Sequence, residues 1–171
     1  MLTLVYGGAG SGKSALAEKI CCSLPRERVY LATMQAHDAE SLARVTRHRE
    51  QRRGMGFRTL ELPCGLAKAA VRQDDNILLE DLSNLLANEM FAENGGGEEA
   101  VWEGIRHLLI SCAHLTVVTN EVFTTGACYG DSTLQYLKSL AALNRGIASI
   151  GDLVIEAVCG LPNVLKGALP W

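Results

Sequence analysis

The chain has 171 residues, 48% of them hydrophobic and 20% charged. This is enough to bury the core of one domain, so we expect residues 1–171 to form a single domain. The formal net charge of −3 argues against nucleic acid as a partner, because proteins that hold a phosphate backbone carry an excess of Lys and Arg. No signal peptide is visible, and no apolar run approaches the roughly 20 residues that span a bilayer. These features predict a soluble, cytoplasmic protein without a membrane span.

Six cysteines raise the question of disulfides or a metal; they stand at positions 21, 22, 64, 112, 128 and 159. Cys21 and Cys22 are adjacent within a helical pattern, where a bond between them would be strained, and no Cys-x-x-Cys pair occurs. We therefore expect small, buried, reduced side chains.

Short apolar runs alternate with helical patterns from one end of the chain to the other. In chain order the pattern predicts a strand over 2–6, a helix over 14–24, a strand over 28–33, a polar helix over 38–53, a strand over 57–62, a helix over 65–72, a strand over 76–80 and a helix over 82–91. After a glycine-rich turn over 94–98 it predicts a helix over 99–113, a strand over 115–119, a loop over 123–131, a helix over 132–150, a strand over 153–158 and a tail over 160–171. This alternation predicts an α/β fold, with a mainly parallel sheet, helices on both faces and ligands beyond the carboxyl ends of the strands.

The first loop of this pattern fits the phosphate-binding P-loop, G-x-x-x-x-G-K-[ST], in full, and it lies between a predicted strand and a predicted helix. Its backbone N–H groups form an anion-binding nest, to which the helix adds its positive N-terminal end. We expect Lys13 to bridge the outer phosphates of a nucleotide and the hydroxyl of Ser14 to bind Mg²⁺. The expected nucleotide-binding residues here are Gly7, Gly8, Ala9, Gly10, Ser11, Gly12, Lys13 and Ser14.

A second acidic site follows the apolar run Ile77–Leu79. Such a strand with a carboxylate at its end resembles a Walker B strand, whose acid helps to hold Mg²⁺. Glu80 is the preferred metal ligand and Asp81 the reserve. An ordinary acid that caps the following helix is the alternative.

The polar helix places His48 among arginines. Arginines bind phosphates in a bidentate manner, and their charge lowers the pKa of a nearby imidazole, which keeps it neutral and nucleophilic. A neutral histidine beside a triphosphate can attack phosphorus and hold the transferred group covalently. A merely solvated helix face is the open alternative, and composition does not decide between the two.

These motifs, in this order, resemble the bifunctional adenosylcobinamide kinase/adenosylcobinamide-phosphate guanylyltransferase family of cobalamin biosynthesis. The resemblance rests on residues 7–14, 30–33, Asp38, Glu40, Arg44, Val45, His48, Arg49, Arg52, Phe57, Thr59, Glu61, Pro63, 77–80, 118–122, Asn144, 160–162 and Lys166.

The resemblance implies a P-loop domain of the RecA type that phosphorylates adenosylcobinamide with ATP or GTP. It also implies transfer of GMP from GTP to adenosylcobinamide phosphate through a guanylyl-histidine, with His48 as the nucleophile and Mg²⁺ as the cofactor. Assembly into small rings such as trimers is a further implication. The remaining nucleotide contacts that it implies are Ala32, Thr33, Met34, Arg49, Glu50, Gln51, Arg52, Glu61 and Glu80.

The chain departs from the family pattern at three places. Gly10 stands where an arginine is usual, Phe57 stands where a tryptophan is usual, and residues 123–128 replace a Gly-x-Gly-x-x-Pro-like loop. Glycine leaves the cradling of phosphate intact, since it is the most permissive residue there. The altered loop leaves two other functions open, a small-molecule kinase without guanylyl transfer and a nucleotide-gated regulatory protein.

Five other polar residues also call for an interpretation. Asn120 and Glu121 end a predicted strand near the phosphates, where Glu121 can orient the acceptor hydroxyl or the metal, although a strand-terminating turn also explains Asn120. His37, His107 and His114 are expected at the surface or at helix caps.

Overall fold

The computed structural model describes residues 1–35, 38–124 and 128–171, apart from the side chains of residues 40, 41 and 44. Seven strands and five helices occur in these ranges: β1 Leu2–Gly7, α1 Lys13–Ser23, β2 Arg28–Ala32, α2 Ala39–Gln51, β3 Phe57–Glu61, β4 Asn76–Glu80, α3 Leu82–Phe91, α4 Gly97–Ser111, β5 His114–Asn120, α5 Asp131–Ile150, β6 Leu153–Val158 and β7 Leu161–Lys166.

The strands form one sheet in the order β3-β2-β4-β5-β1-β6-β7. The pairings from β3 to β6 are all parallel, and only β6 and β7 run antiparallel. The prediction of a mainly parallel α/β sheet is therefore confirmed. Because β1, β5, β4 and β2 run the same way, the loops that follow them emerge at one edge of the sheet.

Helices cover both faces of this sheet, as the sequence predicts. Alternate residues of a strand point to opposite faces, so the buried run of β4 divides between two core clusters. Leu78 packs with Leu16 and Ile20 of α1 on one face. Ile77 and Leu79 pack on the other face with residues of α3, α4 and α5. None of the described helices is both long enough and apolar enough to cross a membrane.

Two predicted elements are wrong. The segment 65–72 forms only a 3₁₀ turn, Leu66–Lys68, because Ala69 is already extended and a helix this short is marginal without a broad apolar face. The tail after Gly160 contains β7. Cys159 and Gly160 both have positive φ, 51° and 80°, which is the geometry of a two-residue hairpin turn. The sequence does not indicate this strand, because Pro162 interrupts the strand pattern. The structure accommodates the proline because β7 lies at the edge of the sheet.

The expectation for the cysteines holds in part. All six are free, but only Cys21 is buried, whereas Cys128 and Cys159 are exposed. Among the histidines, His37 lies outside the described residues, and His107 is half-buried beside the carbonyl oxygen of Ala69.

The placement predicted for His114, at the surface or at a helix cap, is wrong, because the residue begins β5 and is only 3% exposed. Its Nε2 lies 3.1 Å from the Oγ1 of Thr116 and 3.3 Å from the Oγ1 of Thr3. Burial, with a smaller contribution from the charge of the Met1 ammonium, lowers the pKa of His114 to about 4. The imidazole is therefore neutral in the folded protein at neutral pH.

A pH dependence of stability follows from this burial. The pKa of His114 is lower in the folded protein than in the unfolded chain, so its neutral form stabilises the fold above the unfolded value of about 6.5. That contribution, on the order of 3 kcal/mol, is lost as the pH falls through the folded value of about 4. Urea unfolding at several pH values measures it. We expect His114→Gln to flatten the fall in free energy of unfolding between pH 6.5 and pH 4; an unchanged slope in this variant would contradict the assignment.

Candidate active site

The P-loop connects β1 to α1 at the carboxyl edge of the sheet. Gly10 and Gly12 have φ values of 71° and 88°, in the left-handed region that glycine adopts without strain. The Nζ of Lys13 lies 3.2 Å from the carbonyl oxygen of Gly8, so its ammonium folds back over the loop. The ammonium of Lys13 and the N-terminus of α1 therefore face the same space, and both would attract a polyphosphate.

A second segment of the chain braces this loop. Gly160, in the turn between β6 and β7, donates its N–H to the carbonyl oxygen of Ser11 at 2.8 Å. A Cβ atom on Gly12 would lie only 2.9 Å from the Cα of Gly160. The hairpin turn thus fixes the shape of the P-loop from outside, a role of Gly160 that the loop motif alone does not reveal.

Glu80 and Ser14 meet across the site. The Ser14 hydroxyl donates to Oε1 of Glu80, while Oε2 of Glu80 is buried without a hydrogen-bond partner. Burial raises the pKa of Glu80 to about 7, although the bond from Ser14 opposes the shift. The described residues contain no cluster of three or more metal-binding side chains, so a cation here would take further ligands from phosphate and water. An unpaired carboxylate oxygen beside a serine hydroxyl fits Mg²⁺ in that way.

The neighbouring acid, Asp81, has a structural role. Its carboxylate accepts from the backbone N–H of Asn84 at 2.7 Å and caps α3. It also accepts from Ser83 at 2.8 Å and from Asn120 at 3.0 Å. The capping interpretation therefore applies to Asp81 and not to Glu80. Asn120 belongs to this network at the end of β5.

Thr33 and Glu121 also use their side chains within the protein. The Oγ1 of Thr33 donates to the carbonyl oxygen of Asp81 and accepts from its backbone N–H, at 2.9 and 2.8 Å. The carboxylate of Glu121 accepts from the N–H of Phe123 at 2.7 Å and from the Thr124 hydroxyl at 2.8 Å. Glu121 nonetheless lies beside the P-loop, because its backbone N–H donates to the carbonyl oxygen of Gly7 at 2.9 Å.

A cavity of about 870 Å³ opens between the P-loop, the ends of β2, β3 and β4, and α2. Of the residues expected from the sequence, its walls contain Ala9, Gly10, Gly12, Lys13, Ser14, Ala32, Met34, His48, Arg49, Gln51, Arg52, Glu61 and Glu80. Gly7, Gly8, Ser11, Thr33 and Glu50 are not among the lining residues. Further lining residues that the motifs do not indicate include Asn84 and Leu42, which the fold brings to this edge.

His48 is half-buried in the last turn of α2. Next to it, Arg49 forms an ion pair with Glu61 at the end of β3, with both side chains more than half exposed. Arg52 behaves differently, since its guanidinium is buried and faces Tyr30 and Glu18. The cavity thus has a phosphate-binding end at the P-loop and a histidine-bearing wall at α2.

The P-loop, the Ser14–Glu80 pair and the parallel sheet together define a P-loop nucleotide-binding protein. The model of the family "CobU: Cobinamide kinase / cobinamide phosphate guanyltransferase" matches residues 3–165. The bifunctional adenosylcobalamin biosynthesis protein CobP of Pseudomonas aeruginosa is 32% identical over 98% of both chains. The protein CobU of Salmonella typhimurium, of the same description, is 32% identical over 97% of this chain and 100% of its own.

The chain belongs to the cobinamide kinase / cobinamide phosphate guanyltransferase family. This membership confirms the resemblance drawn from the motifs and the assignment to the transferases.

Among solved structures, the P4 protein of bacteriophage phi6 in complex with ADP aligns with 96% of the chain, at 16% identity and a TM-score of 0.47. A prototypical ATPase from the type III secretion system of pathogenic bacteria aligns with 95% of the chain, at 12% identity and a TM-score of 0.49. The chain spans about half the length of each of them, 52% and 56%.

Two glycine substitutions test the bracing of the P-loop. Gly12→Ala and Gly10→Ala both place a side chain in the left-handed region, at a cost of about 1–2 kcal/mol. Only Gly12→Ala also drives a methyl group into the backbone of Gly160, since the space beside Gly10 is open. Titration with a Mg²⁺-nucleotide should show at least about a tenfold loss of affinity for Gly12→Ala and a smaller loss for Gly10→Ala. Equal losses would contradict the bracing role of Gly160.

Proposed function

We propose that this one domain carries out both reactions of its family in the cavity described above. It transfers a phosphoryl group from ATP or GTP to the hydroxyl of adenosylcobinamide, and then transfers GMP from GTP to the resulting phosphate, giving adenosylcobinamide-GDP. The observation that supports this most directly is that the P-loop and His48 line the same cavity.

The P-loop end binds the triphosphate. Backbone N–H groups and the N-terminus of α1 receive the phosphates, and Lys13 supplies a positive charge beside them. We assign Mg²⁺ to Ser14 and Glu80, where it neutralises charge on the phosphates when bound. The remaining nucleotide contacts that we propose are Ala32, Thr33, Met34, Arg49, Glu50, Gln51 and Glu61, with Gly7, Gly8 and Ser11 acting through the loop backbone. The resemblance also implies a contact by Arg52, but for this residue we propose a positioning role instead.

His48 carries the second reaction. A neutral imidazole nitrogen attacks the α-phosphorus of GTP, so that a P–N bond forms, the bond between the α-phosphorus and its bridging oxygen breaks, and pyrophosphate leaves. The phosphate of the acceptor then attacks the same phosphorus, the P–N bond breaks and the imidazole is restored. Arg47 and Arg49 flank His48 along α2 and lie in the same cavity wall, where they offset the charge of the phosphates.

Other expectations from the sequence stay predictions. Assembly into a trimer and a cytoplasmic location are among them, and the free state of all six cysteines is compatible with a reducing compartment. The alternatives, a kinase without guanylyl transfer and a nucleotide-gated regulator, remain separable by experiment.

Two variants divide the proposed reactions. Protein incubated with α-labelled GTP and Mg²⁺ should retain label through an acid-labile, base-stable bond, and His48→Ala should lose that label while its phosphorylation of adenosylcobinamide persists. Lys13→Ala should lower phosphorylation by a factor of about 100 or more, because the charge that it places on the phosphates acts in the transition state. His107→Gln, a histidine outside the cavity, is the control and should behave as the unaltered protein.

The outcomes separate the three functions. Nucleotide binding and phosphorylation of adenosylcobinamide, without label retained on the protein, would support only the kinase without guanylyl transfer. Binding of GTP without its consumption, even when adenosylcobinamide is supplied, would point to the regulator. Retained phosphorylation by Lys13→Ala would contradict the place given to the P-loop.

A further inference from the structure

The helix that carries His48 is weakly held by apolar contacts. None of the described side chains of α2, Ala39–Gln51, belongs to either core cluster. The ion pair between Arg49 and Glu61 is exposed, and such pairs contribute at most about 1 kcal/mol. A helix that must place a nucleophile accurately therefore needs a stronger attachment elsewhere.

Arg52 supplies an attachment directly after the helix ends. Its backbone N–H donates to the carbonyl oxygen of His48 at 3.2 Å, which ties the two residues across one turn. Its side chain enters the protein interior, and the whole residue is only 7% exposed. Arg52, which is bonded to the carbonyl oxygen of His48, thus anchors the end of α2.

The guanidinium of Arg52 lies between two partners. Its Cζ is 3.4 Å from the centre of the Tyr30 ring in β2, and its Nη1 is 3.8 Å from Oε1 of Glu18 in α1. Both charged side chains are 6% exposed. Glu18 lies five residues beyond Lys13, about 7.5 Å along α1, so the contact joins the P-loop helix to the histidine helix.

These contacts add little to the stability of the fold, because both charged groups lose their hydration when they are buried. Burial raises the pKa of Glu18 and the charge of Arg52 opposes that shift, so desolvation is only partly offset. Neither Nη1 of Arg52 nor Oε1 of Glu18 has a hydrogen-bond partner. A buried ion pair of this kind is often no more stable than apolar residues of similar volume, whereas in some proteins such a pair specifies how the elements that it joins pack together.

We infer that Glu18, Tyr30 and Arg52 form a clamp that positions His48 against the P-loop for guanylyl transfer. Glu18 and Tyr30 are positioning residues in this clamp, and Arg52 acts on the nucleotide chiefly by holding α2. The inference rests on the proposed function. Since a displacement of about 1 Å can slow a reaction roughly 100-fold, loosening the clamp should slow the attack of His48. Phosphorylation at the P-loop does not use His48 and should be spared.

The clamp and a direct phosphate contact by Arg52 predict different kinetics. A lost phosphate contact weakens GTP binding, whereas a displaced nucleophile leaves binding intact and slows only the covalent step. The guanidinium already stacks on Tyr30 and faces Glu18, which favours the second outcome.

The experiment is a double-mutant cycle with Glu18→Gln, Arg52→Met and the double variant. Single-turnover labelling by α-labelled GTP gives the rate of the covalent step, and parallel measurements give GTP affinity, phosphorylation rate and melting temperature. We expect each single variant to label His48 about 10- to 100-fold more slowly, with GTP affinity within about threefold. The double variant should be no slower than the slower single variant, because the residues act as a unit.

Matched controls come from another ion pair and from the ring. Glu99→Gln and Arg106→Met break an exposed pair on α4, 2.7 Å between N and O, and should leave every rate unchanged. Tyr30→Phe keeps the ring and should label normally, whereas Tyr30→Leu should be slow. If Arg52→Met does not fold, the nearly isosteric Glu18→Gln and the Tyr30 pair carry the test.

Three results would overturn the clamp. Normal labelling by Glu18→Gln, equal losses of labelling and phosphorylation, or a tenfold loss of GTP affinity at an unchanged labelling rate for Arg52→Met would each contradict it. Failure of the unaltered protein to retain label would reject the proposed function and the clamp together, so the two failures are distinguishable.

Discussion

The parallel register of the sheet is the constraint on which the site depends. It sets Gly7 of β1 beside Asn120 of β5 and Ala32 of β2 beside Glu80 of β4. Each of these positions is at or near the carboxyl end of its strand, so the P-loop and the acid emerge at one edge. Hydrogen bonds between buried strands are costly to break, which keeps the geometry of that edge rigid. The sheet thus gives the residues of the proposed phosphate transfer a rigid support.

Adjacent charged residues at this edge serve different ends because their surroundings differ. Glu80 is buried with one carboxylate oxygen that has no hydrogen-bond partner, so this oxygen is available to a cation. The carboxylate oxygens of Asp81, one residue later, accept hydrogen bonds from Ser83, Asn84 and Asn120, and the bond from Asn84 stabilises the start of α3. The same division separates Arg49 at the exposed rim from Arg52 in the interior. Sequence neighbours therefore do not share a role merely because they share a charge.

The elements with strong patterns could be predicted, and those set by long-range packing could not. β4 was plain because Ile77–Leu79 is apolar throughout, and the P-loop was plain because its motif lies between a strand and a helix. The sequence does not predict β7, because the register of this strand comes from the turn at Cys159 and Gly160 rather than from alternation. It does not predict the burial of His114, because the neighbours of this residue in the core, such as Thr3, lie far away in sequence. The bracing of Gly12 by Gly160 and the contact of Glu18 with Arg52 had no local signal for the same reason.

The central claim is that the proposed Mg²⁺ site and His48 share one cavity, and a paramagnetic ion tests it most directly. Mn²⁺ supplied with GTP in place of Mg²⁺ broadens the NMR signals of nearby imidazoles. His114 is the internal reference, because it begins β5 about 20 Å from the carboxyl edge at the strand rise of 3.4 Å per residue. The account predicts strong broadening of the His48 ring signals and little effect on His114. Equal, weak effects on both rings would contradict it.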